Sequence, residues 1–315
     1  MLESLRGKHE IIDAILEYRK VAKLKSTYVD GLLKVVGRDG RIHSHFNQTD
    51  TRTGRLSSTE PNLQNIPVRT ELGSRLRAFF RAKDGYTLVD ADYSQIELRV
   101  LAHISGDEYM IEAFNSDADI HTNTAAQVFN MPALYVTPEM RRKAKAVNFG
   151  IVYGIGAFSL SQDINVSVAE ADRYIKNYLD TFSGVKKYME DTVTFAQENG
   201  YIETLYGRRR ALPEISSSNK NIVNFGKRVA MNTPIQGTAA DIIKIAMIRV
   251  YRRLKKEQLD ARLILQVHDE LIVEAPQHEV EQVKTLLQEE MQAAAKLKVL
   301  LKADVGTGKT WYDAK

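Results

Sequence analysis

Several features that define common protein classes are missing from this 315-residue sequence. It contains no cysteine, which excludes a disulfide scaffold, a thiolate zinc site and a cysteine nucleophile. Its 7 prolines and 18 glycines are too few for a collagen-like or low-complexity chain. No apolar run approaches the length of a membrane span, and residues 1–6 lack the apolar segment of a secretory signal. We therefore expect a protein of the reducing cytoplasm, without membrane contact.

The charge of the chain is a modest indication of its partners. The 44 Lys and Arg against 40 Asp and Glu leave a net charge of +4, which favours nucleic acid only slightly. Basic residues cluster over 141–145, 208–210 and 249–256. Such runs are usually solvated helix faces, so phosphate contact is one of two interpretations. The length is enough for a sizeable core, in about two domains or one large unit with lobes.

The hydrophobic pattern predicts an α+β protein, in which a mainly helical lobe is inserted into a small antiparallel sheet. A buried strand over 86–92 leads into a helix at about Ser94, whose hydroxyl is a candidate cap. Helical patterns fill 107–199, with a start signal at Thr137 and Pro138. The other expected elements are a helix over 2–25, a hairpin over 32–46, an irregular stretch over 47–75, a hairpin over 201–213, two helices within 219–257 broken near Pro234, strands at 263–267 and 271–273, a helix over 279–297 and a strand over 299–305.

Acidic residues stand at the ends of two apolar strands. Asp92 ends the first, and Asp269 and Glu270 lie at the tip of the later pair. A buried carboxylate must be paired, hydrogen-bonded or metal-bound, yet Asp is also an ordinary turn residue, so both interpretations stay open for each site alone. If the two tips meet in one sheet, the carboxylates would suit a pair of Mg²⁺ ions and phosphoryl transfer.

A stripe of side chains on one predicted helix offers a second candidate site. Arg141, Lys145, Phe149 and Tyr153 recur every four residues, so they follow one inclined line along a helix. Cations suit a triphosphate and aromatic rings suit a stacked base. A half-buried helix with snorkelling basic ends would show the same spacing.

Several segments, in order, resemble the motifs of family A DNA polymerases, the bacterial DNA polymerase I group. Residues 92–99 (DYSQIELR) resemble motif A, 141–154 (RRKAKAVNFGIVYG) motif B and 266–270 (QVHDE) motif C. Further matches lie at 53–58, 61–67, 119–122 and 232–241, and together they span nearly the whole chain.

The resemblance implies a right-hand polymerase architecture with a small antiparallel palm sheet and a mainly helical fingers insertion. The implied division is 1–46 as the end of the thumb and entry to the palm, 47–106 as palm with motif A, 107–218 as fingers with motif B, and 219–315 as palm with motif C.

The implied activity is DNA-templated addition of dNTPs to a primer 3′-hydroxyl by two-metal phosphoryl transfer. The resemblance assigns the ligation of two Mg²⁺ ions to Asp92, Asp269 and the backbone carbonyl of Tyr93. Glu270 is then an auxiliary acid, and Lys145 completes the catalytic set. Oxygen ligands of this kind would also accept Mn²⁺.

The resemblance also implies two sets of binding residues. The nucleotide set has basic, aromatic and polar members, with Glu97 excluding a ribose 2′-hydroxyl: Gln95, Glu97, His121, Arg141, Lys145, Phe149 and Tyr153. The set for primer-template DNA lies near the primer terminus: Arg55, Gln64, Asn65, Arg228, Asn232, Gln236 and His268. Two of these have plain structural alternatives, since Asn232 could cap a helix and Gln236 could satisfy backbone groups after Pro234.

The motif pattern lacks most of the thumb and the exonuclease domains of longer relatives. We therefore expect a monomer without proofreading that binds DNA weakly and in a salt-sensitive manner. A noncatalytic DNA-binding remnant, or a fragment needing the missing thumb, is the main alternative. A metal-dependent nuclease would leave the helical stripe without a role. A P-loop NTPase is suggested by residues 303–310 (ADVGTGKT), but that motif needs a following helix.

Overall fold

The chain combines a small central sheet with a long helical region. The computed structural model describes residues 2–68, 70–116 and 118–315. The strands are β1 (His45–Asn47), β2 (Ser57–Thr59), β3 (Tyr86–Tyr93), β4 (Tyr201–Glu203), β5 (Arg209–Ala211), β6 (Arg262–Val267), β7 (Glu270–Pro276) and β8 (Ala303–Gly308). The helices are α1 (Glu10–Lys23), α2 (Gly31–Leu33), α3 (Glu71–Ser74), α4 (Ile96–Ser105), α5 (Glu108–Asn115), α6 (Ile120–Val128), α7 (Pro138–Val152), α8 (Ala157–Ile164), α9 (Val168–Thr181), α10 (Ser183–Asn199), α11 (Lys220–Lys256) and α12 (Val280–Gln292).

The central sheet is antiparallel throughout and has the strand order β6-β7-β3-β8. The predicted strands at 86–92, 263–267 and 271–273 are confirmed as β3, β6 and β7. Alternate residues of β3 enter different cores, Val89 on one face and Leu88 on the other. Because both faces are covered, the strand ends are where polar side chains can emerge.

The last strand differs from its prediction. It forms at Ala303–Gly308 rather than over 299–305, where residues 303–308 pair with β3. The Arg99 guanidinium donates to the carbonyl of Leu300, 2.6 Å, and the Ser94 amide donates to that of Lys302, 2.9 Å. Since 303–308 is a strand paired with β3, it is not a phosphate-binding loop before a helix, and the P-loop interpretation is wrong.

The helical region between β3 and β6 largely follows the sequence pattern. Helix α7 begins at Pro138, and the Thr137 hydroxyl accepts the Met140 amide at 3.2 Å, as predicted. The predicted Ser94 cap of α4 is wrong. The residue before α4 is Gln95, which has φ 56° and makes no side-chain cap hydrogen bond. The hairpin predicted over 201–213 is confirmed by the pairing of β4 with β5.

Helix α11 is one continuous helix of 37 residues, so the predicted break near Pro234 is wrong. Pro234 has no N–H, which costs about 3 kcal/mol inside a helix. The preceding turn is supported by the Thr233 hydroxyl, which donates to the Val229 carbonyl at 2.7 Å. Buried residues on both sides, such as Ala230 and Ile235, pack against the rest of the fold and outweigh the proline.

The start of the chain departs from the predictions. Helix α1 spans Glu10–Lys23 rather than 2–25, and a π-helical segment, Leu24–Asp30, follows it. The hairpin expected over 32–46 is reduced to one bridge between Val36 and Ile42. Strand β1 instead pairs with β2, inside the stretch expected to be irregular, which also contains α3. The predicted helix over 279–297 ends earlier, at Gln292.

Among the described residues, none of the helices has both the length and the apolar character needed to cross a membrane.

The packing of α12 against the central sheet predicts how a core substitution changes stability. Leu287 of α12 is 0% exposed, whereas Leu300 is 67% exposed. Leu287→Ala removes buried methyl groups and leaves a cavity, so it should lower the free energy of unfolding by about 2–5 kcal/mol. Leu300→Ala is the matched control, expected within about 0.5 kcal/mol of the parent. Urea unfolding measures both, and equal losses in the two variants would contradict this packing.

Candidate active site

The two acidic strand tips lie side by side. The Tyr93 amide at the end of β3 donates to the Asp269 carbonyl at 3.1 Å. Asp92 is paired across the sheet with Glu270 on one side and with Asp304 on the other. The turn between β6 and β7 consists of two residues, and it is tight because His268 takes φ 53°. The two acidic tips therefore meet in one sheet, which is the condition stated above for the two-carboxylate hypothesis.

Both tip carboxylates are disfavoured as anions. Burial, together with the charges of Glu97 and Asp92, raises the pKa of Asp269 to about 7, although Arg55 and Lys315 oppose the shift. Burial also raises the pKa of Asp92, against the opposing charge of Lys315. A bound cation would favour the ionised carboxylates and so oppose the effect of burial on both pKa values.

The donor set suits a hard divalent cation. Mg²⁺ is commonly held by one or two carboxylates, with water and substrate phosphates completing its shell. Asp92 and Asp269 supply two carboxylates on adjoining tips. Within the described parts of the chain, no group of three or more His, Asp or Glu side chains has the spacing of a metal site. The protein side of such a site would therefore rest on the two tip residues and nearby backbone oxygens.

Glu270 faces a buried cluster of cations and an indole. One carboxylate oxygen accepts from Trp311 Nε1 at 2.6 Å and from Arg77 Nη1 at 3.4 Å, and the other from Lys315 Nζ at 2.8 Å. The Arg77 guanidinium also stacks on the Trp311 ring, 3.9 Å from its centroid. Both oxygens of Glu270 are thus engaged by the protein. Nothing in the sequence marked the three partners, which lie 41 or more residues away and meet it only through the fold.

A second network joins the helical region to the carboxylates. Glu97 of α4 accepts from Arg55 Nη2 at 2.6 Å and from the Tyr153 hydroxyl at 3.1 Å. Gln236 of α11 lies beside the Tyr153 hydroxyl and opposes the rise in the pKa of Tyr153 that burial causes. Since the charge of Glu97 raises the pKa of Asp269, this network lies within electrostatic reach of the strand tips.

The predicted stripe lies along α7 and its C-terminal cap. Arg141 forms an ion pair with Asp119, the cap residue of α6. The Lys145 ammonium lies 5.9 Å from the centroid of the Phe149 ring. Phe149 and Tyr153 line an open cavity of about 640 Å³. The stripe therefore presents its cations and aromatics on an accessible face.

His121 is buried against α7 and hydrogen-bonded to Asn148. Its Nδ1 lies 3.0 Å from Asn148 Nδ2, and Asn148 also donates to the Thr124 hydroxyl at 3.0 Å. Burial, with the charges of Lys145 and Arg141, lowers the pKa of His121 to about 4, although Asp119 opposes the shift. Sequence reasoning missed Asn148. The available signal was a polar residue between Ala144, Val147 and Ile151 on the buried face of α7.

The predicted DNA set falls into two groups. Gln64 donates to the carbonyl and side chain of Gln266, 3.2 and 3.0 Å, beside His268. The Asn65 carbonyl accepts from the Tyr28 hydroxyl at 2.8 Å. The other group lies on α11: Arg228, Asn232 and Gln236.

Asn232 and Arg228 have distinctive surroundings on α11. Asn232 lies inside the helix, so the helix-cap alternative is wrong. Its Oδ1 is buried without a hydrogen-bond partner among the described residues. Arg228 packs over Gly154, directly after Tyr153. The structure thus brings the α11 group beside the end of the α7 stripe.

The lowered pKa of His121 predicts a specific pH dependence of stability. Its pKa is about 4 in the fold and 6.5 ordinarily, so between these values the unfolded chain binds the proton more readily. Stability from this residue is complete above pH 6.5 and is lost as the pH falls toward 4. His121→Gln should flatten the slope of unfolding free energy against pH in that window.

Urea unfolding at a series of pH values measures that slope. His45→Gln replaces an exposed histidine and is the matched control, expected to keep the parent slope. An NMR titration placing the pKa of His121 near 6.5 would contradict the assignment.

Comparisons of the sequence with known proteins point to one family along essentially the whole chain. The sequence profile of DNA polymerase family A matches residues 1–313. DNA polymerase I of Bacillus subtilis (strain 168) is 56% identical over 317 residues, covering 100% of this chain and 36% of that protein. Thermostable DNA polymerase I of Thermus aquaticus is 49% identical over 316 residues, covering 100% of this chain and 38% of that protein.

A solved structure gives the same result for the fold. It is the POL domain of Pol1 from M. smegmatis in complex with DNA primer-template and dNTP. It matches at a TM-score of 0.95 and 48% identity, over 99% of this chain and 56% of that chain. The predicted α+β, right-hand polymerase fold is confirmed. The chain spans 36% and 38% of the length of the two curated relatives. On its profile match and its identity to these proteins, the chain belongs to DNA polymerase family A.

Proposed function

We propose that this chain is a DNA-directed DNA polymerase that adds dNTPs to a primer 3′-hydroxyl on a DNA template. The observation that carries the proposal is the junction of the two acidic tips, where the Tyr93 amide meets the Asp269 carbonyl at 3.1 Å beside Asp92. Membership of the family supports it, as does the similarity to a POL domain whose complex contains primer-template DNA and dNTP.

We propose that Asp92, Asp269 and the Tyr93 carbonyl hold two Mg²⁺ ions. Such ions, when bound, acidify an attacking hydroxyl and neutralise charge on the reacting phosphates. The raised pKa values of both carboxylates support a site that gains from a cation. Glu270 accepts hydrogen bonds from Trp311 and Lys315, and it is proposed to act as an auxiliary acid beside the metal ligands.

The nucleotide is proposed to lie against the α7 stripe. Lys145 and Arg141 supply cations for the triphosphate, and Phe149 offers a ring for stacking. Arg141 exchanges its ion pair with Asp119 for phosphate when the nucleotide arrives. His121 is neutral at pH 7, so it hydrogen-bonds as an uncharged donor. Gln95 lies at the turn between β3 and α4, between the tips and the helices.

Primer-template DNA is proposed to contact the two groups of polar residues described above. Minor-groove acceptors occur on every base pair, so Arg and Gln side chains can test pairing without reading sequence. The unpartnered Oδ1 of Asn232 supports a contact made only in the complex. Both groups are proposed to contact the duplex near the primer terminus: Arg55, Gln64, Asn65 and His268 in one group, and Arg228, Asn232 and Gln236 of α11 in the other.

The proposal extends to the organisation of the chain. We propose the division 1–46, 47–106, 107–218 and 219–315 into thumb end, first palm part, fingers and second palm part. We also propose that the chain acts as a cytoplasmic monomer without proofreading. A primer with a 3′ mismatch, incubated without dNTPs, should keep its full length.

Primer extension tests the activity directly. Asp269→Asn keeps the size of the side chain but removes its charge, so template-directed addition with Mg²⁺ should fall by at least about 10³-fold. Binding of the primer-template duplex should persist. Lys309→Ala is the control, because Lys309 donates to the backbone carbonyls of Lys83 and Tyr86 rather than to the tips.

The outcomes separate the proposal from its alternative. Addition by the parent chain and by the Lys309 variant, but not by the Asp269 variant, supports the polymerase. DNA binding without addition by the parent would instead support a noncatalytic remnant or a fragment that needs more of a thumb.

Glu97 predicts how the enzyme selects its sugar. Its side chain, 6% exposed and held by Arg55 and Tyr153, is proposed to exclude a ribose 2′-hydroxyl. Glu97→Ala opens this space, so the dNTP-over-rNTP ratio of kcat/KM should fall at least about tenfold. Glu97→Gln keeps the volume and should retain most of the discrimination. Single-nucleotide kinetics measure both ratios, and an unchanged ratio for the alanine variant would refute the role.

A further inference from the structure

The segment after β8 lies directly on two glycines of that strand. A Cβ at Gly308 would stand 2.5 Å from the Ala314 amide nitrogen, and one at Gly306 would collide with the Ala314 carbonyl. Trp311 and Ala314 are buried, and the Trp311 amide donates to the Phe80 carbonyl at 2.9 Å. The glycines of the segment that resembled a phosphate loop thus leave the space in which residues 313 and 314 pack against β8. This packing fixes the path of residues 311–315.

This path brings an ammonium group to the acidic tips. Lys315 Nζ lies 3.3 Å from Asp92 Oδ2 and 2.8 Å from Glu270 Oε2. Asp304 adds negative charge beside Asp92, whereas burial and the neighbouring Glu270 raise the pKa of Asp90 to about 9, so that the Asp90 carboxyl is protonated at pH 7. Trp311 also donates a hydrogen bond to Glu270. Lys315 is therefore positioned both by the path of the backbone before it and by its ion pair with Glu270.

We propose that Lys315 is an intramolecular counter-ion of Asp92 that competes with divalent cations for this carboxylate. The inference rests on the proposed function only in taking Asp92 as a metal ligand. An ammonium and a divalent cation at the same carboxylate repel each other, so binding of the cation requires Lys315 to withdraw toward Glu270. Residues 311–315 thereby set the affinity of the site for metal. When no metal is bound, the ammonium group of Lys315 balances the negative charge of Asp92.

Direct Mn²⁺ binding to the protein without DNA or nucleotide tests this competition. The EPR signal of free Mn²⁺ reports binding independently of activity. Lys315→Met removes the competing charge, so Mn²⁺ should bind about three- to tenfold more tightly. Lys315→Arg keeps a cation and should stay near the parent affinity. Lys309→Met, which removes a lysine away from the tips, should also leave it unchanged.

A second variant moves Lys315 without replacing it. Gly308→Ala places a methyl group against residues 313 and 314, which should displace the segment and tighten Mn²⁺ binding in the same direction. Circular dichroism checks that each variant is folded. Equal or weaker Mn²⁺ binding by folded Lys315→Met overturns the inference.

Asp92→Asn separates this inference from the proposed function. It should abolish the Mn²⁺ binding that the other variants modulate. If Asp92→Asn binds Mn²⁺ as well as the parent does, the proposed metal site itself fails. If Asp92→Asn loses Mn²⁺ binding but Lys315→Met keeps the parent affinity, the metal site stands and the counter-ion role of Lys315 is refuted.

Discussion

The pairing of β3 with β7 is the constraint on which the site depends. It sets Asp92 opposite Glu270 and lets the Tyr93 amide reach the Asp269 carbonyl. Since side chains alternate along a strand, a slip of one residue would turn Asp92 to the other face of the sheet. Both strands are covered on their two faces, so the register is fixed by the same packing that stabilises the core.

Bringing acids together at one sheet end creates repulsion that the fold compensates locally. Arg55 pairs with Glu97, while Arg77, Trp311 and Lys315 surround Glu270. Asp92 and Asp269 keep raised pKa values despite these cations. A further cation would therefore stabilise the ionised forms of both tip carboxylates.

The helical region is tied together by buried polar contacts as well as by apolar packing. Asn148 of α7 bonds to His121 and Thr124 of α6, so these two helices are joined across their interface. Buried polar groups that are satisfied in only one arrangement specify that arrangement. The Tyr153 hydroxyl then donates to Glu97, which links the end of α7 to α4, the helix that follows β3.

The sequence by itself determined the elements whose signals are local, and the motifs. Hydrophobic runs predicted β3, β6 and β7, the Thr137–Pro138 pair predicted the start of α7, and four-residue spacing predicted its stripe. Only the tertiary structure decided that α11 passes through Pro234 and that residues 303–308 form a strand. It also brought Lys315 to Asp92, two residues separated by most of the chain. Each of these outcomes depends on burial or pairing with distant segments, which outweighs the preferences that proline, glycine and lysine show locally.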